Sequence, residues 1–310
     1  MYKISKFKGL NLDIMEQRFK SLSLFEFQDR FKNSEDCLVY LSELKWQDGF
    51  VCRKCGHTHS CLGNAPHSRQ CTSCRYVESP TAQTLFHQLK FDLLKAFYIV
   101  YFVSTNKKGI TSTELSRKLN LRQKTCWSFK RKVMKAMKSS GNHPITGKAE
   151  VDETVFGGQE TGVRGRQNKS KKLVVVGVEK KKKGISRMYA RVIDKADAKN
   201  LGGFMKDYID INAEITTDKW TGYQPLHKDF KNLTQLYSGD KGGNFPELHR
   251  VIMNLKSWLR GIHHHVRDLQ DYLDEYSYRF NRSFMKDNIF DNLLNRMVVT
   301  DPCLIKNISD

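Results

Sequence analysis

The sequence is short of acidic residues and has no long apolar run. It has 53 lysines and arginines but only 33 aspartates and glutamates, so its 310 residues carry a formal net charge of +20. This excess of positive charge attracts polyanions, so nucleic acid or an anionic membrane surface is the expected class of partner. No apolar segment approaches the roughly 20 residues that a transmembrane helix needs. Of the two classes we expect nucleic acid as the partner, and no membrane.

The first residues also lack the apolar core of a secretory signal peptide, because the segment 1–6 reads MYKISK. A cytoplasmic protein is therefore expected. In that reducing compartment the eight cysteines are better interpreted as metal ligands or free thiols than as disulfide partners.

Four of the cysteines form two Cys-x-x-Cys pairs. Fifteen residues separate the pair Cys52 and Cys55 from the pair Cys71 and Cys74, a spacing that is typical of a zinc ribbon. Four thiolates in this pattern predict one tetrahedral structural Zn²⁺, which stabilises a fold and does no chemistry. Other possible ligands lie between the pairs, at His57, His59, Cys61 and His67.

The flanking segments have helical patterns. Residues 24–46 predict two short helices, and apolar residues at three- and four-residue spacings predict a further helix region in 81–103. The segments 109–121 and 122–132 predict a helix-turn-helix pattern with its turn at Asn120.

The second helix of this pair is strongly basic. With Trp127 and Val133 facing inward, four basic side chains are expected to contact DNA phosphates: Lys124, Lys130, Arg131 and Lys132. The alternative is a plain helical hairpin with a solvated basic face.

After Gly147 the pattern changes to three strands, a helix over 196–210 and a fourth strand. Asp152 lies in the first strand and Asp218 ends the fourth. A right-handed crossover can set these two strands side by side and parallel, so that the two carboxyl groups meet. This order of elements predicts an RNase H-like α/β core. Two close carboxylates in a basic protein need a counter-cation, and a divalent metal such as Mg²⁺ is expected.

Several segments, taken in order, resemble a known family. They are the two cysteine pairs, 79–87, 109–110 with its helix pair, 151–158, 217–218, 272–276 and 279–282. Over residues 25–285 this set resembles the bacterial insertion-sequence transposases that have an N-terminal zinc ribbon and a DDE-type catalytic domain, the IS1595 or ISXO2-like family. The resemblance implies an enzyme that cleaves insertion-sequence ends and then joins the freed 3′-hydroxyl to target DNA.

The resemblance also implies a catalytic set of Asp152, Asp218 and a third residue, holding two Mg²⁺ (or Mn²⁺) ions. Most relatives carry a glutamate five residues after a histidine, and here Asn254 occupies that place after His249. An asparagine carbonyl can still bind Mg²⁺, although more weakly than a carboxylate does. The rival third residues are Glu275 above all, then Glu247 and Glu153.

The partners that the resemblance implies are double-stranded DNA, as terminal inverted repeats and as target, and further copies of the chain in a homo-oligomer on paired ends. The expected place is the bacterial cytoplasm, on the nucleoid. Further expected phosphate contacts are Arg164 and Arg166 in a basic loop, and Lys219, Lys256, Arg260 and residues 263–265 near the site.

The sequence predicts a multidomain protein whose fold class is mixed α+β and α/β. Its predicted parts are an N-terminal helical segment (1–48), a zinc ribbon (49–80), a helical region with the helix-turn-helix pattern (81–140), an RNase H-like catalytic domain (145–290) and a C-terminal tail (291–310). Two alternative functions remain. One is an RNase H-fold nuclease without strand transfer, and the other is a DNA-binding regulator with a degenerate catalytic domain.

Overall fold

The computed structural model describes residues 21–157, 171–182, 184–240, 243–262, 268–283, 285 and 288–303. These residues form two compact units. The first contains the described residues up to Ala136 together with those from Arg282 onward, and the second contains Met137–Asn281. None of the helices in the described ranges combines the length and apolar composition that crossing a membrane requires.

The first unit begins with the two predicted short helices, α1 (Leu24–Arg30) and α2 (Ser34–Lys45). Each begins at a capping box, in which the cap side chain accepts a hydrogen bond from the third helical residue and that residue's carboxylate accepts one in return. The pairs are Ser23 with Glu26 and Asn33 with Asp36. Local sequence therefore fixes where both helices begin.

Helix α3 (Leu93–Thr105) is shorter than the predicted region 81–103. The Thr84 hydroxyl donates to Thr81 O and accepts from Phe86 N, which holds this segment in turns. Gln83 and Gln88 have positive φ values of 56° and 52°, which a continuous α-helix excludes. The apolar periodicity of 81–90 thus belongs to buried turns.

The helix-turn-helix pattern is confirmed as α4 (Ser112–Leu119) and α5 (Gln123–Met137). Asn120 ends α4 in the left-handed conformation, with φ 49°, a role that asparagine tolerates better than most residues. Between α2 and α3 lies a three-stranded antiparallel sheet of β1 (Ser60–Leu62), β2 (Arg69–Cys71) and β3 (Val77–Glu78).

The last described helix, α9 (Asn288–Val299), also belongs to the first unit. Its Phe290 is fully buried, with ring centroids 5.6 Å from Phe27, 5.9 Å from Phe31 and 6.4 Å from Phe97. The sequence predicted a tail from residue 291, whereas the structure has a packed helix there. The reason is an apolar face at helical spacing, which lies beyond the residues that carry the family resemblance.

The second unit is built on a five-stranded sheet. Its elements in chain order are β4 (Lys148–Phe156), β5 (Lys172–Lys180), β6 (Ile185–Ile193), α6 (Ala198–Tyr208), β7 (Glu214–Thr217), β8 (Leu233–Gln235), α7 (Pro246–Ile262) and α8 (Leu269–Asn281). The spatial order is β6-β5-β4-β7-β8, with β5 antiparallel to both neighbours and β7 parallel to β4 and β8. This is the predicted RNase H-like core, including the parallel pairing of its first and fourth strands.

Both faces of the sheet are covered. Ala149 and Val151 of β4 pack with the α6 side of the sheet, whereas Phe156 packs with the α7 and α8 side. Because side chains alternate along a strand, Asp152 shares the face of Phe156 and looks toward α7. The central strand therefore presents its aspartate to the helix that carries the predicted third residue.

Asp274 on α8 provides a pH-dependent test of this packing. Burial raises the pKa of Asp274 to about 6, against a hydrogen bond from Gln270 Nε2 at 3.0 Å that lowers it. Because the folded protein binds this proton more tightly than the unfolded chain does, the protonated carboxyl stabilises the fold at low pH. This stabilisation is lost as the pH rises from about 4, the pKa of a free aspartate, to about 6, the pKa in the fold. We expect Asp274→Asn to raise the free energy of unfolding above pH 7 by on the order of 1–3 kcal/mol.

Urea unfolding at pH 4 and at pH 8 measures this effect. The gain should appear at pH 8 and vanish at pH 4, where the wild-type carboxyl is also neutral. The control is Asp240→Asn, at an exposed position of the same unit. An equal gain at both pH values would contradict the assignment.

Candidate catalytic and zinc sites

The carboxylate site forms where β7 ends beside the middle of β4. The last parallel pair in register is Val151 with Thr217, and β4 continues to Phe156. The residues that follow this pair are Asp152 and Asp218. One carboxylate oxygen from each of Asp152, Glu153 and Asp218 lies within 4.8 Å of the others. The predicted meeting of the two aspartates is confirmed.

Backbone hydrogen bonds orient both aspartates. Asp152 Oδ1 accepts from the Glu153 amide at 2.8 Å, and Asp218 Oδ1 accepts from the Trp220 amide at 3.0 Å. Gln235 Nε2, at the end of β8, donates to the Asp218 carbonyl at 3.0 Å. The turn after β7 is thus tied to the neighbouring strand, which holds the second carboxylate beside the first.

Tyr223, in the 3₁₀ helix Thr221–Lys228, supports the third carboxylate. It is fully buried, and its hydroxyl donates to Glu153 Oε2 at 2.9 Å. Burial, reinforced by the charge of Glu153, raises the pKa of Tyr223 well above its usual range. The phenol therefore stays protonated and remains a hydrogen-bond donor at any physiological pH. The sequence analysis did not identify Tyr223, since a single aromatic residue in a turn carries no metal-site pattern.

Removing this hydroxyl gives a measurable loss. Tyr223→Phe leaves the ring in place and takes one donor from a carboxylate that is only 9% exposed. We expect the free energy of unfolding to fall by about 1.5–3 kcal/mol, the range for hydrogen bonds to charged groups. Urea titration measures it, and Tyr237→Phe, at a side chain 67% exposed, is the matched control. An unchanged unfolding midpoint for Tyr223→Phe would refute the role.

The carboxylate cluster suits a divalent cation. Three carboxylates this close repel one another unless a positive charge lies between them. Oxygen ligands of this kind are those that Mg²⁺ and Mn²⁺ prefer. The donor set therefore fits the divalent metal that the sequence predicts, and the residues that would hold it are Asp152, Asp218 and Glu153.

On α7 the residue next to the cluster is His249. Its Nε2 lies 3.7 Å from Asp152 Oδ2. At about 100° of rotation per residue, Asn254 lies about 140° around the helix from His249, whereas Lys256 lies within about 20°. Asn254 is exposed, and Lys256 Nζ donates to Thr154 Oγ1 at 2.6 Å. The helix thus turns His249 and Lys256 toward β4 and Asn254 away from that flank.

The strongest rival, Glu275, lies elsewhere in the second unit. It is fully buried on α8, and its Oε1 accepts from Arg279 Nη2 at 2.7 Å. Within the described residues the carboxylate cluster contains Glu153 and not Glu275. Glu247 lies on α7 with Arg250 Nη2 3.9 Å from its Oε1.

The four ribbon cysteines converge as predicted. Their sulfurs lie within 4.8 Å of one another, with 3.5 Å between the Sγ atoms of Cys52 and Cys74 and 3.6 Å between those of Cys55 and Cys71. Zn–S bonds of about 2.3 Å in a tetrahedron set sulfurs about 3.8 Å apart. The separations fit a single structural Zn²⁺.

Each cysteine pair turns tightly below this site. Gly56, with φ 75°, donates its amide to Cys52 O at 2.8 Å, and Arg75, with φ 60°, donates its amide to Cys71 O at 3.0 Å. The two turns are equivalent in position. Glycine suits the positive φ of the first turn, and in the second turn Arg75 adopts a positive φ because the ribbon requires it.

Comparison with protein families decides the identity. Residues 144–281 match the ISXO2-like transposase domain, and residues 32–77 match the transposase zinc-ribbon domain. Between them the two matches take in more than half of the chain. The chain belongs to the IS1595 family of DNA transposases.

Solved structures and curated proteins add little to this identification. Two structures similar to the transposase are a pre-cleavage Mos1 transpososome and a Mos1 transposase paired-end complex with the left transposon end. The first has 9% identity and a TM-score of 0.26, and it covers 66% of this chain and 78% of its own. The second has 10% identity and a TM-score of 0.19, with 65% and 78% covered. None of the curated proteins compared with the transposase matches it.

The predicted DNA contacts on α5 of the transposase divide into two groups. Lys124 is exposed and Arg131 is half-buried, with its guanidinium 5.6 Å from the Trp127 ring centre. Lys130 and Lys132 are buried, at 4% and 8% exposure, so the expectation that they face outward is wrong. Lys130 Nζ donates to Ile110 O at 2.9 Å, which ties α5 to the loop before α4. Burial lowers the pKa of Lys132.

The remaining predicted contacts lie in or near the second unit. Arg260 is exposed on α7, and Lys219 is exposed next to Asp218. Arg164, Arg166 and residues 263–265 lie outside the described residues. Trp258 packs against Tyr276, with ring centres 5.4 Å apart.

Proposed function

We propose that this transposase catalyses metal-dependent cleavage at the ends of an insertion sequence and transfers the freed strand into target DNA. The observation that supports this is the cluster of Asp152, Glu153 and Asp218 carboxylates within 4.8 Å, where β7 ends beside the middle of the parallel strand β4. Two Mg²⁺ or Mn²⁺ ions and one structural Zn²⁺ are the cofactors of this proposal.

The roles follow from position. When bound, a pair of divalent ions makes water a nucleophile at neutral pH and neutralises the charge on the leaving oxygen. Asp152, on the central strand, would hold both ions, and Asp218 would hold one of them. Asn254 stays the sequence's prediction for the third position. The amide contacts to Asp152 and Asp218 preorganise the carboxylates, which reduces the rearrangement that ion binding requires.

The bonds that change are those of the DNA backbone. Water attacks the phosphorus at the element end, and the bond from phosphorus to the 3′-oxygen breaks, which leaves a free 3′-hydroxyl. That hydroxyl attacks a target phosphate and displaces the target's own 3′-oxygen, so one ester bond replaces another. No external energy source is needed.

DNA delivery is part of the proposal. Lys124, Arg131 and Arg260 present positive charge at accessible positions, where they can neutralise phosphates without reading sequence. Lys256, which lies beside the carboxylate site, would contact a DNA phosphate there. Two ends must be cut and joined together, so the proposal includes a homo-oligomer on paired ends.

The test is a joining assay. Full-length protein, Mg²⁺ and a DNA fragment that ends in the element's terminal repeat are incubated with a supercoiled target plasmid. The expected products are nicked ends and labelled strands joined to the plasmid. Cleavage without joined products supports the nuclease alternative. Binding without cleavage, in Mg²⁺ and in Mn²⁺, supports the regulator.

A further inference from the structure

The imidazole of His249 is unusual among the polar groups around the carboxylate cluster. Its side chain is 36% exposed, yet the Nε2 atom itself is buried and makes no hydrogen bond. A buried polar nitrogen without a partner costs free energy, so it calls for an explanation such as a water, an ion or a catalytic role. It lies 3.7 Å from Asp152 Oδ2.

A direct contact with the aspartate does not explain this arrangement. Hydrogen bonds from nitrogen to oxygen span about 2.7–3.2 Å, so a separation of 3.7 Å is too long for one. Bonds of about 2.0–2.1 Å to an octahedral ion set neighbouring ligands about 2.9 Å apart and opposite ones about 4.2 Å apart. The observed separation lies between these two values. A cation shared by the two atoms is therefore compatible with the distance, whereas a direct hydrogen bond is not.

We infer that His249 Nε2, and not Asn254, supplies the side-chain ligand that α7 contributes to the catalytic metal site, on an ion that it shares with Asp152. This inference rests on the proposed function. Asn254 is exposed and lies about 140° around α7 from His249, so one rigid helix cannot turn both toward Asp152. Lys256, seven residues after His249, contacts Thr154 on the same face of β4 as Asp152, which fixes the orientation of this flank of α7.

A nitrogen ligand changes which metal the site prefers. Carboxylate oxygens accept Mg²⁺ and Mn²⁺ alike, whereas imidazole suits transition metals and is a poor ligand for Mg²⁺. A site that adds the His249 nitrogen to the carboxylate oxygens should therefore bind Mn²⁺ more tightly than Mg²⁺. This preference is a property of the protein without DNA.

The experiment measures metal affinity in full-length protein without DNA. Mn²⁺ binding is titrated by electron paramagnetic resonance of the free ion, and Mg²⁺ by its competition with Mn²⁺. We expect His249→Gln, which keeps much of the side-chain volume, to weaken Mn²⁺ binding at least about tenfold. His249→Glu should lower the ratio of Mn²⁺ to Mg²⁺ affinity at least about tenfold, because it restores a carboxylate. Asn254→Ala should change neither quantity.

The outcomes separate this inference from the proposed function. If both His249 variants bind Mn²⁺ and Mg²⁺ as the wild type does, or if Asn254→Ala alone weakens binding, His249 is not the ligand. In that case Asp152→Asn still tests the carboxylate site. If this variant loses Mn²⁺ binding, the carboxylate metal site is supported and only His249 is excluded as a ligand. Unchanged binding in Asp152→Asn would remove the metal site and the proposed mechanism together. Melting temperatures in EDTA show whether each variant is folded.

Discussion

Asp152→Asn and Asp218→Asn should each abolish cleavage and joining while they make the metal-free protein more stable. Each substitution removes one negative charge from a cluster whose oxygens lie within 4.8 Å, so repulsion in the metal-free state falls. The same change removes a ligand from ions that contribute several kcal/mol of transition-state stabilisation, which corresponds to about a thousandfold loss of rate or more.

Two measurements check the aspartates. Single-turnover cleavage of end-bearing DNA gives the rate, and melting curves in EDTA and in Mn²⁺ give the stability. We expect a wild-type melting temperature that rises with Mn²⁺, and variants that melt higher than wild type in EDTA but gain nothing from the ion. Asp194→Asn removes one exposed charge from the same unit and should leave both measurements unchanged. Variants that retain cleavage would end the proposed mechanism.

Loss of the ribbon's metal should have the second large effect. Cys71 is 1% exposed and packs with Cys52, Trp46 and Phe50 in a small separate core. Structural zinc in such sites supplies about 10–16 kcal/mol of apparent binding free energy near neutral pH, more than a core of this size can provide. We expect Cys71→Ser, or treatment with a strong chelator, to release one Zn²⁺ per chain and to unfold this core.

Zinc release is measured with a chromogenic chelator. Unfolding is measured by the red shift of Trp46 fluorescence emission, because the emission of a buried indole ring shifts to longer wavelength when the ring reaches water. Arg69, the first residue of β2, lies over the Trp46 ring, 4.9 Å from its centre. The environment of Trp46 therefore depends on the folding of β2. The matched control is Cys61→Ser, because Cys61 is exposed and outside the four-sulfur cluster. If Cys71→Ser keeps its zinc, or Cys61→Ser loses it, the ligand assignment is wrong.

The parts of the fold that sequence predicted are those with local signals. Apolar residues at helical spacing marked α1 and α2, Asn120 marked the turn between α4 and α5, and strand-like runs marked β4 to β7. The meeting of Asp152 and Asp218 followed from one topological rule, the right-handed crossover. The zinc site could be predicted from the spacing of the two cysteine pairs alone.

The parts that sequence missed depend on which face of a helix is buried. The sequence suggested that Lys130 and Lys132 form a basic surface, but both side chains are buried, and Lys130 donates to Ile110 O. The proposed choice of His249 over Asn254 likewise depends on the rotation of α7, which Lys256 and the buried apolar residues of the helix set together. Five residues along a helix are enough to move a side chain from the site to solvent.

The first unit draws on both ends of the chain, since α9 completes the core that α1, α2 and α3 begin. During synthesis on the ribosome, domains generally fold from the N-terminus as they emerge. Here the earliest helices must wait for Phe290, which is made only after the whole catalytic unit. A nascent chain therefore carries a finished second unit before its first one closes, and a message that stops before the codon for Phe290 yields a protein whose opening helices pack on α3 without the ring that completes their core.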